Sequence, residues 1–366
     1  MSPLVAATFS GNIAVVNLLL DNGADPDKNP FGGVSALSVA CYQGHYDIVK
    51  CLVEHGADVN THDINGNGAL MSVAMSENSE IARLLVENGA LVNLSNQDGS
   101  TALMNASERG NVDIVKLLLN KGADISARNQ AGSTALLIAC DSGHLDIAKY
   151  LIDQSFALNL TNPLETNVFK GSPANSADLE GNASAFINVG NFTGTTPLML
   201  TTGRNDVEMV TLLLRMGASI NMQRPDGTTA LAIACELGYE EIARILVDYG
   251  ARVDVRNHAG TTPLLLASWK GHTKLIMLLI EKGAAVDEHD HRRLTALGLA
   301  CNNGRIDAAR LLLDNGATVD LADDAGITPL MAAVCSRHEE VIRLLVRVGA
   351  NVNFQERGGT SVLHMA

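Results

Sequence analysis

Apolar residues along this chain fall on two interleaved registers. Leu37, Leu70, Leu103 and Leu136 stand 33 residues apart, as do Leu198, Leu231, Leu264, Leu297, Leu330 and Leu363, and Leu4 opens the first series. A second leucine keeps the same interval: Leu19, Leu52, Leu85, Leu118 and Leu151, then Leu213, Leu246, Leu279, Leu312 and Leu345. One copy shows what each interval builds. In "QDGSTALMNASERG", Asp98-Gly99 marks a tight turn and Thr101 stands where a hydroxyl caps a helix. Leu103 and Ala106 share that helix's inner face, and Gly110 ends it. "NVDIVKLLLNKGAD" reads as a second amphipathic helix, with Ile114, Val115, Leu118 and Leu119 at helical spacing and Gly122 as its stop. A Gly-Ala pair closes most copies, as at Gly23-Ala24, Gly56-Ala57, Gly122-Ala123, Gly250-Ala251 and Gly349-Ala350. Neither helix can bury its apolar face alone, so neighbouring copies must stack. The pattern predicts an all-α repeat solenoid of helix-turn-helix units joined by β-hairpin or turn fingers.

Ten copies are nearly complete. The first enters at Ser2-Pro3-Leu4 without its hairpin, and an eleventh starts at Glu356 and stops at Ala366 inside its first helix. The period breaks once, because Thr134 and Thr196 are 62 residues apart, which is 29 too many. The excess is assigned to Asn162–Gly190, a stretch rich in Asn, Ser, Gly and Ala without helical period, expected to be a flexible loop. Ser172-Pro173 is its candidate phosphorylation site, and just before it Ser155-Phe156 replace the usual Gly-Ala. The expected division is therefore repeats one to five over 1–161, an insertion over 162–190, repeats six to ten over 191–355, and the truncated copy over 356–366. Terminal copies of such arrays carry a polar outer face. Neither end shows one, so the chain is expected to be a segment of a longer protein.

Thr196-Pro197-Leu198, Thr262-Pro263-Leu264 and Thr328-Pro329-Leu330, with "GHYDIVKCLVEHGADVN" (Gly44–Asn60), resemble the ankyrin repeat and its T-P-L-H-x-A signature. The signature histidine is replaced by Met104, Leu137, Met199 and Leu265, and His364 keeps it. The resemblance covers the chain apart from the insertion. It implies docking of a protein partner on a concave side made by finger tips and the exposed ends of the first helices. It also permits hydroxylation at Asn60, Asn93, Asn221 and Asn353, which follow Val or Ile at the copy exits.

Composition narrows the chemistry. Hydrophobic residues make up 46% but aromatics 4%, so small and aliphatic side chains must fill the core. A formal net charge of −14 argues against general nucleic-acid binding, which depends on neutralising phosphates. The N-terminus lacks a basic leader and no run of apolar residues is long enough to span a bilayer, so an intracellular, cytoplasmic location without membrane insertion is expected. Of six cysteines, Cys41, Cys140, Cys235 and Cys301 occupy one slot late in the first helix of their own copies, and read as small core residues of a reducing compartment. "DINGNG" (Asp63–Gly68) imitates the start of a calcium loop, but Ala74 stands where the closing Glu belongs. Phosphate-loop, zinc-protease and nucleophile-elbow motifs are absent, so no enzyme activity, cofactor or metal is expected.

The acidic chain nevertheless gathers cations. The finger and helix-end slots of copies six to nine carry Arg204, Arg224, Arg256, His258, Trp269, Lys270, His289, His291, Arg292 and Arg293, against Asp226, Glu236 and Asp290. The early copies carry Phe9, Phe31, Tyr42 and Met75, then Glu108, Arg109 and Arg128. Arginine forks recognise carboxylate and phosphate bidentately, and a lone tryptophan suits an anchor. The expected function is a non-catalytic scaffold or adaptor that binds an acidic or phosphorylated partner segment. The alternative is a regulatory or structural array of a larger signalling, ligase or membrane-associated protein whose activity lies elsewhere.

Overall fold

The computed structural model describes residues 2–28, 33–161 and 182–359. Phe31, Ser172-Pro173, Leu363 and His364 lie outside the described residues, together with 162–181 of the expected insertion and 360–366 of the truncated copy. The chain divides into two compact units, Met1–Phe192 and Thr193–Ala366. The first holds helix pairs α1 (Pro3–Phe9) with α2 (Ile13–Asp21), α3 (Ala36–Gln43) with α4 (Tyr46–Glu54), α5 (Ala69–Ala74) with α6 (Ser79–Glu87), α7 (Ala102–Arg109) with α8 (Val112–Asn120), and α9 (Ala135–Ser142) with α10 (Leu145–Thr161). A short helix, α11 (Asn182–Ile187), packs on α10. The second holds α12 (Pro197–Gly203) with α13 (Val207–Arg215), α14 (Ala230–Leu237) with α15 (Glu240–Asp248), α16 (Pro263–Lys270) with α17 (Thr273–Glu281), α18 (Ala296–Asn302) with α19 (Ile306–Asp314), and α20 (Pro329–Cys335) with α21 (Glu339–Arg347).

Within each unit first helices pack on first helices and second on second, so each leucine register becomes a continuous seam. The described leucines of the inner register, Leu4 to Leu330, are all buried, as are those of the outer register from Leu52 to Leu345. Full burial of one leucine contributes about 1.5–3 kcal/mol. On α2, which packs on α1 and α4, Leu19 is only half-buried and Leu18 is exposed. The cap slot behaves as its chemistry requires: hydroxyls of Ser35, Thr101, Thr134, Thr196, Thr229, Thr262, Thr295 and Thr328 each accept the N–H three residues on. Where Pro197, Pro263 and Pro329 follow, the missing N–H is one that would have lacked a helical partner anyway. The fingers are turns rather than hairpins with strands. Among the described residues their pairing is limited to single bridges, His62 with Gly68, Ser95 with Thr101 and His289 with Thr295.

Side chains fasten each copy to the one before it. His144 Nε2–H donates to the Glu108 carbonyl (2.9 Å), His338 to Asn302 (3.1 Å), His272 to Glu236 (3.4 Å), and Arg305 Nε–H to Trp269 (3.4 Å). These side chains satisfy orphan carbonyls at the ends of preceding first helices and so stabilise the stack. The approach is close: a Cβ on Gly110 would lie 2.7 Å from the His144 ring.

The insertion expected at 162–190 needs correction at its second boundary. Phe192 N–H donates to the Ala131 carbonyl (3.0 Å), the same finger-to-finger bond that Gln97 makes to Asn65 (2.7 Å) and Gln130 to Asp98 (2.8 Å). The regular bonds span 32 positions and this one 61, so all 29 extra residues lie between its partners. Counting back from Phe192 puts Ile187 in the slot of Ile125, and both are buried. Residues 182–187 are helical, and Phe186, Ile187 and Val189 are buried because they supply the apolar exit of the fifth copy. Upstream, Ser155-Phe156 lack the glycine that stops α8, and α10 runs on to Thr161. Arg128 ties down the return: its guanidinium donates to the Gly132 (3.0 Å) and Gly190 carbonyls and lies 5.4 Å from the Phe192 ring centre.

Candidate functional site

The cations singled out in the second unit occupy two kinds of position. Arg224, Arg256, His258, His289, His291, Arg292 and Arg293 belong to three successive fingers, whereas Arg204, Trp269 and Lys270 sit at the ends of first helices. Backbone bonds join the fingers in series: His258 N–H to the Asp226 carbonyl (2.8 Å), His291 N–H to Ala259 (3.0 Å), and Asp324 N–H to Arg292 (3.0 Å). His258 and His291 are therefore equivalent side chains on adjacent rungs, and both are exposed. Each finger is held from within by an Asx residue. Asn257 Oδ1 accepts from Ala259 and Thr261 (2.9 Å each), and Asp290 Oδ1 from Arg292 and Leu294 (2.9 Å each). Asp290 is buried, with Oδ1 committed to this turn and Oδ2 facing Arg292, so it offsets part of the positive charge of this finger.

Not every predicted residue is presented to solvent. Arg224 occupies the Asx slot of its finger and is half-buried; among the described residues its buried Nε has no hydrogen-bond partner. In that finger Asp226 Oδ1 takes the Thr228 N–H instead (2.8 Å). Partial burial pushes the Asp226 carboxyl up, but the Thr228 hydrogen bonds and the charge of Arg224 bring it below the usual aspartate range. Arg256 pairs with Glu288 and donates to the His289 carbonyl (3.1 Å), bridging two rungs. His289 is half-buried, with its Nδ1 2.9 Å from the Asp290 carbonyl. Arg292 keeps a side chain 78% exposed although its Nε lies 3.6 Å from Asp290 Oδ2. Arg293 has φ +60°, where the other described fingers place Gly66, Gly99, Gly132, Gly194, Gly227, Gly260, Gly326 and Gly359. Trp269, 39% exposed, carries the Lys270 ammonium 4.0 Å from its ring centre. Arg204 forms the C-cap of α12, two copies before Trp269.

The profile of the family described as ankyrin repeats (3 copies) matches residues 4–96, 70–162, 175–257 and 250–323, and that of the single ankyrin repeat matches 325–357. The chain belongs to the ankyrin-repeat family. No curated protein matches the sequence as a whole. Ankyrin repeats are, in general, protein–protein interaction modules. No helix among the described residues is long and apolar enough to cross a membrane.

Most cysteines of this ankyrin array are buried, and Cys335 is exposed. Cys41, Cys140, Cys235 and Cys301 are buried and in no disulfide, and burial pushes the thiols of Cys41, Cys235 and Cys301 up, that of Cys301 to about 12. Among the described residues no group of three His, Cys, Asp or Glu side chains could hold a metal ion. One constellation escaped the sequence reading because its members come from two copies. The Cys51 thiol donates to Asn17 Oδ1 (2.7 Å), its sulfur lies 3.7 Å from His55 Nδ1, and His55 Nε2 lies 3.4 Å from Asp21. It outwardly resembles a Cys-His-Asp relay, yet burial and the nearby Glu54 and Asp21 raise the thiol pKa. His55 Nδ1–H is already given to the Cys51 carbonyl (2.8 Å). A nucleophile needs the opposite bias, so this is a strut between α2 and α4. Asn60, Asn93 and Asn221 are struts too: Oδ1 of each accepts an N–H 31 residues ahead, from Leu91 (2.8 Å), Asp124 (2.8 Å) and Arg252 (2.9 Å).

Proposed function

We propose that the chain is a non-catalytic, intracellular scaffold or adaptor, and that the finger tips of its second unit bind an acidic or phosphorylated segment of a partner protein. Arg293 carries the reading. A left-handed backbone at a residue other than glycine costs on the order of 1–3 kcal/mol, and such outliers cluster at functional sites. Asn205 and Arg337 share it just past their first helices, and among the described fingers Arg293 has it. Here eight sister fingers use glycine and this one keeps a guanidinium. The surroundings support it: His291 and Arg292 precede Arg293 on the same rung, Arg292 keeps a side chain 78% exposed, and His258 stands on the neighbouring rung. Anionic oxygens would take bidentate hydrogen bonds from such forks. Buried cysteines in no disulfide agree with a reducing compartment.

The test uses the full chain against short phosphorylated peptides, their glutamate versions and their uncharged versions. Reversing Arg256, Arg292 and Arg293 together to glutamate is expected to weaken phosphopeptide binding by about a hundredfold or more, the worth of two charge-assisted bonds. Trp269→Ala is expected to weaken it by about tenfold, as loss of an aromatic anchor does. Circular dichroism would verify that the fold survives loss of the Arg256–Glu288 pair. Unchanged affinity in both variants would remove the fingers from the binding surface.

A further inference from the structure

The first unit carries a surface of the opposite kind. Copies one to four enclose a groove of about 490 Å3. Val39 and Met71 lie in its floor, while Phe9, Val34, Tyr42 and Met75 line it above, with Phe9 62% and Tyr42 60% exposed. Large apolar side chains left this open and close together mark binding surfaces rather than ordinary exterior. Asp63 and Glu108 stand in the same groove. A second cavity of about 400 Å3 adjoins it through Tyr42 and Gln43, and there the charged residues are Glu77 and Glu80. Among the described residues, neither cavity is lined by a lysine, arginine or histidine.

The wider field has the same sign. Met1–Phe192 holds 20 acidic and 9 basic residues, a formal charge of −11, whereas Thr193–Ala366 holds 20 and 17, a charge of −3. A trough of apolar and neutral polar side chains whose charged groups are all carboxylates repels acidic segments and gives neutral ones no electrostatic reward. It attracts a segment that alternates bulky apolar residues with lysine or arginine. We infer that this groove is a second docking site, for a cationic partner segment that sets apolar side chains against Tyr42 and Met75 while its basic groups face Asp63, Glu77, Glu80 and Glu108. The site is separate in residues and in charge preference from the fingers of the second unit, so the two can fail independently. With both in place, the protein holds two chemically unlike partners, or two unlike segments of one partner.

The probes are three fluorescent peptides that share a pair of leucines and a phenylalanine, flanked by lysine and arginine in the first, serine in the second and glutamate in the third. With the full chain, the cationic peptide is expected to bind at least about tenfold more tightly than the serine one, and the glutamate one not at all. Tyr42→Ala removes a side chain that is mostly in solvent, so it leaves the fold alone, and is expected to weaken the cationic peptide by about tenfold. Glu77→Gln, Glu80→Gln and Glu108→Gln together are expected to lower affinity and flatten its dependence on salt. The reversed Arg256, Arg292 and Arg293 variant is expected to bind the cationic peptide as the parent does. Equal affinity for the three peptides, or indifference to Tyr42→Ala and the glutamate substitutions, would overturn the proposal. So would sedimentation showing that the chain self-associates and that Tyr42→Ala abolishes it, since a second copy would then be the occupant.

Discussion

Arg293 and His55 show how much a single side chain can report. At Arg293 the backbone sits in a conformation that glycine adopts without penalty. Arg293→Gly is therefore expected to raise stability by about 1 kcal/mol, measured by denaturant unfolding, while reducing affinity for a phosphorylated segment. A variant that lost stability would show that the guanidinium, not the partner, repays the strained turn. His55 bears on pH. Its Nδ1–H bonds to the Cys51 carbonyl and Nε2 faces Asp21; both favour the imidazolium, and they hold its pKa above the ordinary 6.5 in that order of importance. The stabilisation it lends is complete below that ordinary value and disappears as pH rises through the elevated folded one. The melting temperatures of the parent and His55→Gln should differ most on the acidic side and converge on the alkaline side. Because the ring is exposed the difference will be small, and one that grew with pH would contradict the assignment.

Helices and fingers were the most legible elements, because each answers to a local rule. Two leucines per copy at fixed phase can only be buried by two helices, and Ser or Thr before the first of them is a cap. Thr262 tests the rule: Thr262→Ala should destabilise by about 1 kcal/mol and Thr262→Gly by only a few tenths, read by denaturant titration or by hydrogen exchange of the Leu265 amide. No loss of stability in either variant would mean that the Thr262 hydroxyl contributes nothing as a cap. Two features were not legible. The fifth exit was misplaced because composition was used to site the insertion, whereas Ala185-Phe186-Ile187-Asn188 falls on the register of an ordinary exit once α10 is allowed to overrun. The reach of His144, His272 and His338 into preceding copies was hidden because their acceptors are backbone carbonyls, which carry no sequence signal.

Across the molecule, charge is divided unequally between the two units, and that division was only partly readable in advance. The cationic fingers showed in the sequence as a cluster of Arg and His against an acidic background. What the sequence could not show was which members are spent internally: Arg224 in an Asx slot, Arg256 on Glu288, and Asp290 on its own turn. The groove was half visible, since Phe9, Tyr42, Met75 and Glu108 stand out in the sequence as helix-end residues of four separate copies. Only stacking brings them to one hollow. The Phe192–Ala131 bond has a consequence of its own. Twenty-nine additional residues enter between Ser155 and Ala185, yet the rung beyond them closes as if they were not there. That point is a socket, where foreign sequence with closely set ends, a tag or a whole folded module, could be spliced in to give the array a cargo without disturbing the finger-to-finger bond beyond it.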